Sequence, residues 1–413
     1  MLKIKLISVV GLYKIEPDYY VAARGHHADI GGISPGSMPA SSSHINEEGV
    51  CIELFAAVKN GELREKEILS LLKSVEHPAR NPEQNLADLR AQIASLSAGV
   101  LEMSRATSDF GKPTVEAYMN HVQNNAARAC RRLLQKLKSG KSSVMLDDGS
   151  TIKVAVRVNK QTAVFDFTGT SSVHPHNFNA PKAVTYAAVI YCLRVLTGED
   201  MPLNDGIMRP VRLLIPSNSM LSPKPPAAVA AGNVEVSQNI ADAVFAALGV
   251  CAHSQGTCNN FTFGADGGQY YETICGGGGA SPGVNGGDAM QVHMTNSRAS
   301  DPEVLETRHP LRLESFNIRR GSGGAGKHRG GYGAERRLLF LKDGDAAILS
   351  SRRKVAPSGL LGGKDGKPGK NMVLRKDGVL ENLGGCAQVK MNPGDTFIIQ
   401  TPGGGGWGKS KKR

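Results

Sequence analysis

The chain has 413 residues, of which 40% are hydrophobic, so it can bury a core of two or three packing units, and this excludes a disordered or fibrous protein. The formal net charge is +12, but the basic residues are scattered, apart from the tail GKSKKR and the stretch from Lys327 to Arg337. We therefore expect no nucleic-acid partner. No stretch approaches the ~18 apolar residues that cross a bilayer, so we expect no membrane segment.

The seven cysteines are widely spaced and form no Cys-x-x-Cys pair, which argues against a disulfide framework and against a zinc ribbon. The apolar run near Met1 is short and has no small-residue cleavage site, so we expect no signal peptide. Both features favour a reducing compartment, and we expect a cytoplasmic location.

Residues 19–60 read as strands and loops, and residues 82–138 follow a helical pattern. Asn81 is a suitable N-cap and Pro82 suits the first helical position, while Gly111 interrupts the apolar pattern and Pro113 restarts it. The spacing therefore predicts two helices that form an antiparallel hairpin.

Alternating apolar residues from about 140 to 170 predict two or three antiparallel strands. Two more helices are predicted, one from Pro181 to Gly198 and one capped by Asn233 and closed by Gly249. Beyond Cys258 the pattern is typical of strands and glycine loops, with one short helix at DPEVLE. The predicted fold class is mixed α+β, with antiparallel and mixed sheets, a helical hairpin and packed helices, and not a regular doubly wound sheet.

Glycine segments dominate the second half of the chain. GSGGAGKH, residues 321–328, resembles a phosphate-binding loop but has His328 where Ser or Thr is required, so we exclude a nucleotide site there. The four glycines of YYETICGGGGASPG either form an anion-binding nest or permit tight backbone packing, and we favour packing.

Two segments carry candidate site residues. In RGHHADIGG, residues 24–32, His26 and His27 face opposite ways if the backbone is extended, whereas His27 and Asp29 share a face. Imidazole and carboxylate suit zinc, manganese or iron, but a catalytic site needs three protein ligands, and a hydrogen-bonded histidine pair inside the fold is the alternative. In HMTNSRASDPEVLE, Asn296 and Arg298 precede a short helix and could bind a carboxylate.

A series of motifs occurs in the order found in one family: VAARGHHADIGGISPGSMP, FDFTGT, NFNAP, GNVEVSQ, YYETICGGGGA, HMTNSRASDPEVLE and TPGGGGWG. From about Tyr20 to Gly408 the chain resembles the N-methylhydantoinase B family, also called hydantoinase B/oxoprolinase. Within that family it is most similar to the C-terminal part of enzymes of the eukaryotic 5-oxoprolinase type.

The resemblance implies a hydrolase that opens a cyclic amide, 5-oxoproline, to glutamate, a reaction of glutathione metabolism. It implies a divalent metal, with His26 or His27 as ligand and with Asp29 as a ligand, an orienting partner or a catalytic base. It also implies that Asn296 and Arg298 contact the substrate. ATP would act only in a hydantoinase A-like partner domain or subunit, and a homo-oligomer is a further expectation.

The resemblance also suggests that the family region is incomplete here. Residues 19–408 correspond to the B-like domain, with an internal boundary near 140, whereas residues 1–18 show no family motif and residues 409–413 form a basic tail. The family's region begins further upstream and carries additional metal ligands in a His-x-x-Asp segment. Two alternatives therefore stand beside the hydrolase: a truncated, inactive member that acts only in binding or assembly, and a relative of the ketone carboxylase α subunit.

Overall fold

The computed structural model describes residues 6–7, 19–265 and 268–410. The helices are α1 Glu65–Lys73, α2 Pro82–Phe110, α3 Lys112–Leu134, α4 Lys182–Thr197, α5 Ser237–Leu248 and α6 Pro302–Arg308. The strands are β1 Leu6–Ile7, β2 Gly25–His26, β3 Val58–Lys59, β4 Glu62–Leu63, β5 Gly140–Met145, β6 Thr151–Val158, β7 Ala163–Asp166, β8 Val211–Leu214, β9 Asn260–Ala265, β10 Gly268–Thr273, β11 Leu311–Arg319, β12 Gly333–Phe340, β13 Gly344–Leu349, β14 Lys370–Leu374, β15 Leu380–Asn382, β16 Cys386–Met391 and β17 Thr396–Gln400. This mixture of helices and sheets confirms the predicted mixed α+β class.

The first of the larger sheets has the order β5-β6-β7-β8, and only its last pair, β7 with β8, is parallel. Its buried face carries Val144, Ile152, Val154 and Phe165, which share one core with apolar residues of α3, α4 and α5. The predicted strands of residues 140–170 are therefore confirmed, and three helices cover the face that their alternation leaves apolar.

Two further sheets pack face to face. One has the order β10-β9-β13-β16 and the other β11-β12-β17-β14-β15. Apolar side chains from both sheets form one core, in which the rings of Phe261 on β9 and Phe397 on β17 have their centroids 4.8 Å apart. The packing of the two sheets brings β10 of one sheet close to β12 of the other, so that Glu272 on β10 contacts Arg336 on β12.

The predicted pair of helices is confirmed as α2 and α3. The side chain of Asn81 accepts a hydrogen bond from the backbone amide of Gln84, and Gly111, with φ of 79°, separates the two helices. Leu86 and Leu89 of α2 pack against α1, whereas the buried end of α3 joins the core of the first sheet.

One predicted helix start differs. Residues Gly232–Val236 form a π-helical turn that leads directly into α5, so Asn233 lies inside the turn and does not cap the helix. The predicted end at Gly249 is confirmed, because this residue adopts the left-handed conformation that closes α5. None of the helices within the described residues is long and apolar enough to cross a membrane.

Glycine segments of the second half form what we call the glycine layer: residues 276–279, 286–287, 330–331 and 403–406. Their backbones hydrogen-bond to one another, with the amides of Gly278, Gly331 and Gly404 donating to Gly287, Gly278 and Gly331 over 2.8–2.9 Å. A Cβ atom at Gly331 would overlap the backbone of both Gly287 and Gly278. The predicted tight packing is therefore confirmed, because side chains would separate the segments.

We expect Gly331→Ala to lower the free energy of unfolding by more than about 3 kcal/mol, because the added methyl group must displace backbone atoms. Gly321→Ala is a matched control: Gly321 has open space around it but a φ of 72°, so only strain of roughly 1–2 kcal/mol is expected. Urea denaturation measures both variants, and equal losses would contradict the steric explanation.

Candidate functional site

The RGHHADIGG segment lies along the N-terminal part of α2. His26 ends β2 with an exposed side chain, whereas His27 is buried. Nδ1 of His27 lies 3.0 Å from Nδ2 of Asn85, and Nε2 lies 3.3 Å from Nε2 of Gln92. Burial lowers the pKa of His27, with Asp88 acting in the opposite direction, so the neutral imidazole is favoured.

Asp29 organises the loop that follows. Its Oδ1 accepts from the backbone amides of Gly31 and Arg80 over 2.8 and 3.2 Å. Its Oδ2 accepts from the amide of Gly36 over 2.9 Å and from the guanidinium of Arg80 over 2.8 Å. The carboxylate thus joins the glycine turn to Arg80, two residues before α2, and its lone pairs are engaged by four N–H donors.

This arrangement does not fit a metal centre. The oxygens of Asp29 face N–H donors, both nitrogens of His27 face side-chain amides, and His26 lies on the opposite side of the strand. Across residues 19–265 and 268–410, no three or more His, Cys, Asp or Glu side chains are grouped to hold a metal ion. The metal-ligand role of His26 and His27 therefore stays a prediction, and no chemical step is assigned to it.

A cavity of about 280 Å³, which we call the interloop cavity, lies between the two predicted segments. Ala28 lines it from the RGHHADIGG side, since its side chain points away from the face shared by His27 and Asp29. Ser300 lines it from the segment that contains Asn296 and Arg298. Other lining residues are Gly36, Tyr270, Tyr271, Arg308 and His309. The structure thus brings the two predicted segments together, but at residues adjacent to the predicted ones.

His309 contributes an imidazole to the lining of the interloop cavity. Burial and the neighbouring Arg308 both lower its pKa, so at neutral pH it presents a neutral imidazole that can accept or donate a hydrogen bond. Next to it, burial raises the pKa of Tyr270, whose hydroxyl donates to Oε2 of Glu272 over 2.9 Å. Tyr270 lines the interloop cavity and Glu272 lines a second cavity, so this hydrogen bond connects the walls of the two.

Arg298 lines this second cavity of about 240 Å³, which we call the arginine cavity, and Asn296 lines neither cavity. Arg336 on β12 and Glu272 on β10 also line it, with Nε and Oε1 only 2.8 Å apart. Burial raises the pKa of Glu272, and the charge of Arg336 opposes the shift. The cavity is completed by Thr273, Ile274, Cys275, Gln291 and Phe316.

Helix α5 holds the segment that carries Arg298. Asp242, fully buried on α5, accepts from Nε2 of His293 over 2.9 Å, and Nε2 of Gln238 donates to Oγ1 of Thr295 over 2.6 Å. His293 and Thr295 lie only a few residues before Arg298. Their bonds to α5 therefore fix the position of this segment at the arginine cavity.

Sequence reasoning did not identify Arg336 or Glu272. A signal exists for Arg336, because it occupies the inward-facing position between Ala334 and Leu338 in the alternation of β12. A charged residue at such a position requires a partner, but the partner on another sheet cannot be read from the alternation.

The comparison with known proteins decides the family. A model described as hydantoinase B/oxoprolinase matches residues 6–410. The chain belongs to the hydantoinase B/oxoprolinase family. It is 45% identical to 5-oxoprolinase 1 of Arabidopsis thaliana over 418 residues, covering 95% of this chain and 33% of that protein. It is 41% identical to the 5-oxoprolinase of Dictyostelium discoideum over 408 residues, covering 96% of this chain and 32% of that protein.

This member of the hydantoinase B/oxoprolinase family therefore spans about a third of the length of these curated relatives. Among solved structures, the crystal structure of the ATP-dependent caprolactamase from Pseudomonas jessenii superposes with a TM-score of 0.82 at 24% identity, covering 94% of this chain and 72% of that chain. At this identity the likeness shows a shared fold.

Asp29→Asn should lower the free energy of unfolding by about 3 kcal/mol, because the amide nitrogen cannot accept from Gly36 and Arg80. The control is Asp109→Asn, which removes the exposed ion pair between Asp109 and Arg105 on α2. This pair is worth less than about 1 kcal/mol. Urea denaturation at neutral pH measures both, and an unchanged midpoint for Asp29→Asn would contradict a structural role.

Glu235 generates a prediction on pH dependence. This carboxyl is fully buried in the π-helical turn and accepts from Thr257, Cys258, Asn260 and Ser351. Burial raises its pKa to about 7, so the folded protein keeps a proton that the unfolded chain releases near its ordinary pKa of 4.5. The stability of the wild type should therefore decrease, relative to Glu235→Gln, as pH rises from about 4.5 to about 7, and then level off.

Urea midpoints of the two proteins across this pH range measure the effect. The exposed Glu102→Gln is the control and should follow the wild type at every pH. Parallel curves for the wild type and Glu235→Gln would show that this carboxyl has an ordinary pKa.

Proposed function

We propose that this chain is the hydantoinase B-like portion of an ATP-dependent 5-oxoprolinase, which hydrolyses the cyclic amide of 5-oxoproline to give glutamate. The observation that carries the proposal is the 45% identity to 5-oxoprolinase 1 of Arabidopsis thaliana across 95% of the chain. Because the chain spans 33% of that relative, the proposal includes a hydantoinase A-like domain or subunit that supplies the ATP chemistry.

The chemistry of amide hydrolysis explains why ATP-dependent activation and ring opening are assigned to two different parts. An amide carbonyl is a poor electrophile, so transfer of a phosphoryl group to its oxygen in the partner makes attack by water feasible. The B-like portion would then hold the activated ring while one water attacks its carbonyl carbon, so that the ring C–N bond breaks and the phosphoryl group leaves as inorganic phosphate. Cavities of about 280 and 240 Å³ beside the RGHHADIGG and HMTNSRASDPEVLE segments are suited to so small a molecule.

The predicted divalent metal, zinc, manganese or iron, has no part in this proposal, since the described histidines and Asp29 do not form a ligand set. Elemental analysis of the purified chain, with His26→Ala and His27→Ala as comparisons, tests the metal directly. The proposal also places the protein in the cytoplasm, which is supported by seven free cysteines.

A second candidate is a family member that acts only in binding or assembly. It is favoured by the contacts of His27 and Asp29, which hold the loop to α2 and leave neither side chain directed into a cavity. The related ketone carboxylase α subunit is a weaker candidate, because the relatives from Arabidopsis thaliana and Dictyostelium discoideum, at 45% and 41% identity, are named as 5-oxoprolinases.

The deciding experiment mixes the purified chain with a hydantoinase A-like subunit and supplies 5-oxoproline and ATP. We expect glutamate to be released in step with ADP, measured by coupled assay. Neither component alone should release glutamate, and omission of ATP should abolish release. An assembled complex that hydrolyses ATP without forming glutamate would favour the binding or assembly candidate.

A further inference from the structure

The arginine cavity contains buried polar atoms that lack hydrogen-bond partners. Arg336 is 1% exposed and Glu272 is 5% exposed, and Nε of Arg336 pairs with Oε1 of Glu272 over 2.8 Å. Nη2 of Arg336 and Oε1 of Gln291, however, are left buried without a hydrogen-bond partner within the described structure. Each such group costs about 1–3 kcal/mol, so their convergence on one cavity indicates a missing ligand.

The charge of the cavity favours an anion. Glu272 balances Arg336, but Arg298 forms no ion pair with any residue in the described ranges and has an exposed side chain. The net charge of these three side chains is therefore positive. Guanidinium groups bind carboxylates through paired N–H donors, and a carboxylate would satisfy the free Nη2 of Arg336.

A carboxylate alone does not satisfy the cavity, because one acceptor remains. The side-chain nitrogen of Gln291 donates to the backbone oxygen and to Oγ1 of Thr273, both over 3.2 Å, which sets the orientation of the amide. Oε1 of Gln291 is then left buried without a partner. This oxygen needs a donor, and the N–H of a ligand amide is a donor of the right kind.

The size of the cavity limits the ligand. Its volume of about 240 Å³ is below the roughly 300–1,000 Å³ of sites for drug-sized molecules. Ile274 and Phe316 supply apolar surface between the polar groups, which suits a short stretch of methylene groups. The ligand is thus a small amide with a carboxylate and a short apolar skeleton.

We propose that the arginine cavity binds a small amide-bearing carboxylic acid, with its carboxylate on Arg298 and Arg336 and its amide N–H on Gln291. The identity of this ligand as 5-oxoproline rests on the proposed function, whereas the chemical class rests on the cavity. Arg298 and Arg336 are then binding residues, and Gln291 distinguishes an amide from a plain carbocyclic acid.

The test is calorimetric titration of the full chain with three probes: 5-oxoproline, 2-pyrrolidinone, which lacks the carboxylate, and cyclopentanecarboxylate, which lacks the amide. We expect 5-oxoproline to bind at least about tenfold more tightly than either of the others. Arg336→Met and Arg298→Gln should each weaken 5-oxoproline binding about tenfold, and Gln291→Met should remove the preference for 5-oxoproline over cyclopentanecarboxylate.

Arg312→Gln, an exposed arginine of β11 outside both cavities, is the matched control and should bind as the wild type does. Arg298→Gln alters an exposed side chain, so it tests the inference even where Arg336→Met fails to fold. Binding of 5-oxoproline that is unchanged in Arg298→Gln, or no binding of any probe at millimolar concentration, overturns the inference.

The two proposals fail in different ways. Glutamate formation by the assembled enzyme with unchanged kcat/KM in Arg298→Gln would refute the cavity assignment and leave the proposed function standing. Binding of N-acetylglycine but not of 5-oxoproline, with dependence on Arg298, would support the cavity's ligand class and refute 5-oxoproline as the substrate.

Discussion

Direct backbone contact between glycine segments is the constraint on which the C-terminal half of this protein depends. The glycine layer lets the chain after β10 pass against residues 286–287 and 330–331 at distances that exclude any side chain. Residues 286–287 lead to Gln291, and Gly331 leads into β12 and Arg336. The layer therefore determines how closely the walls of the arginine cavity approach one another, although no glycine contributes a functional group.

Two helices complete the arrangement by holding loops with buried polar groups. Next to α2, Asp29 and His27 hold the RGHHADIGG loop, while α5 holds the segment before Arg298 through Asp242 and His293. Carboxylates and imidazoles that resemble catalytic groups in the sequence are here engaged by hydrogen-bond donors or by each other. Buried charges need such partners, so a chemically suggestive motif can serve to position a loop.

The sequence was informative where local physics decides structure. The capping of α2 by Asn81, the break at Gly111 and the closure of α5 at Gly249 follow from backbone preferences, and the structure confirms each. The prediction that Asn233 caps α5 was wrong. The chain instead forms a π-helical turn that buries Glu235 among Thr257, Asn260 and Ser351. Those partners are distant in sequence, so a local pattern does not contain them.

The amino-acid sequence by itself determined the α+β class, the family and the two loops that border the interloop cavity, because periodicity, capping and ordered motifs are local properties of the chain. The pairing of Glu272 with Arg336 and their convergence with Arg298 and Gln291 were decided only by the tertiary structure. These residues lie on strands of two different sheets and on an intervening loop, and only the packing of the sheets over one core brings such distant groups within a few ångströms.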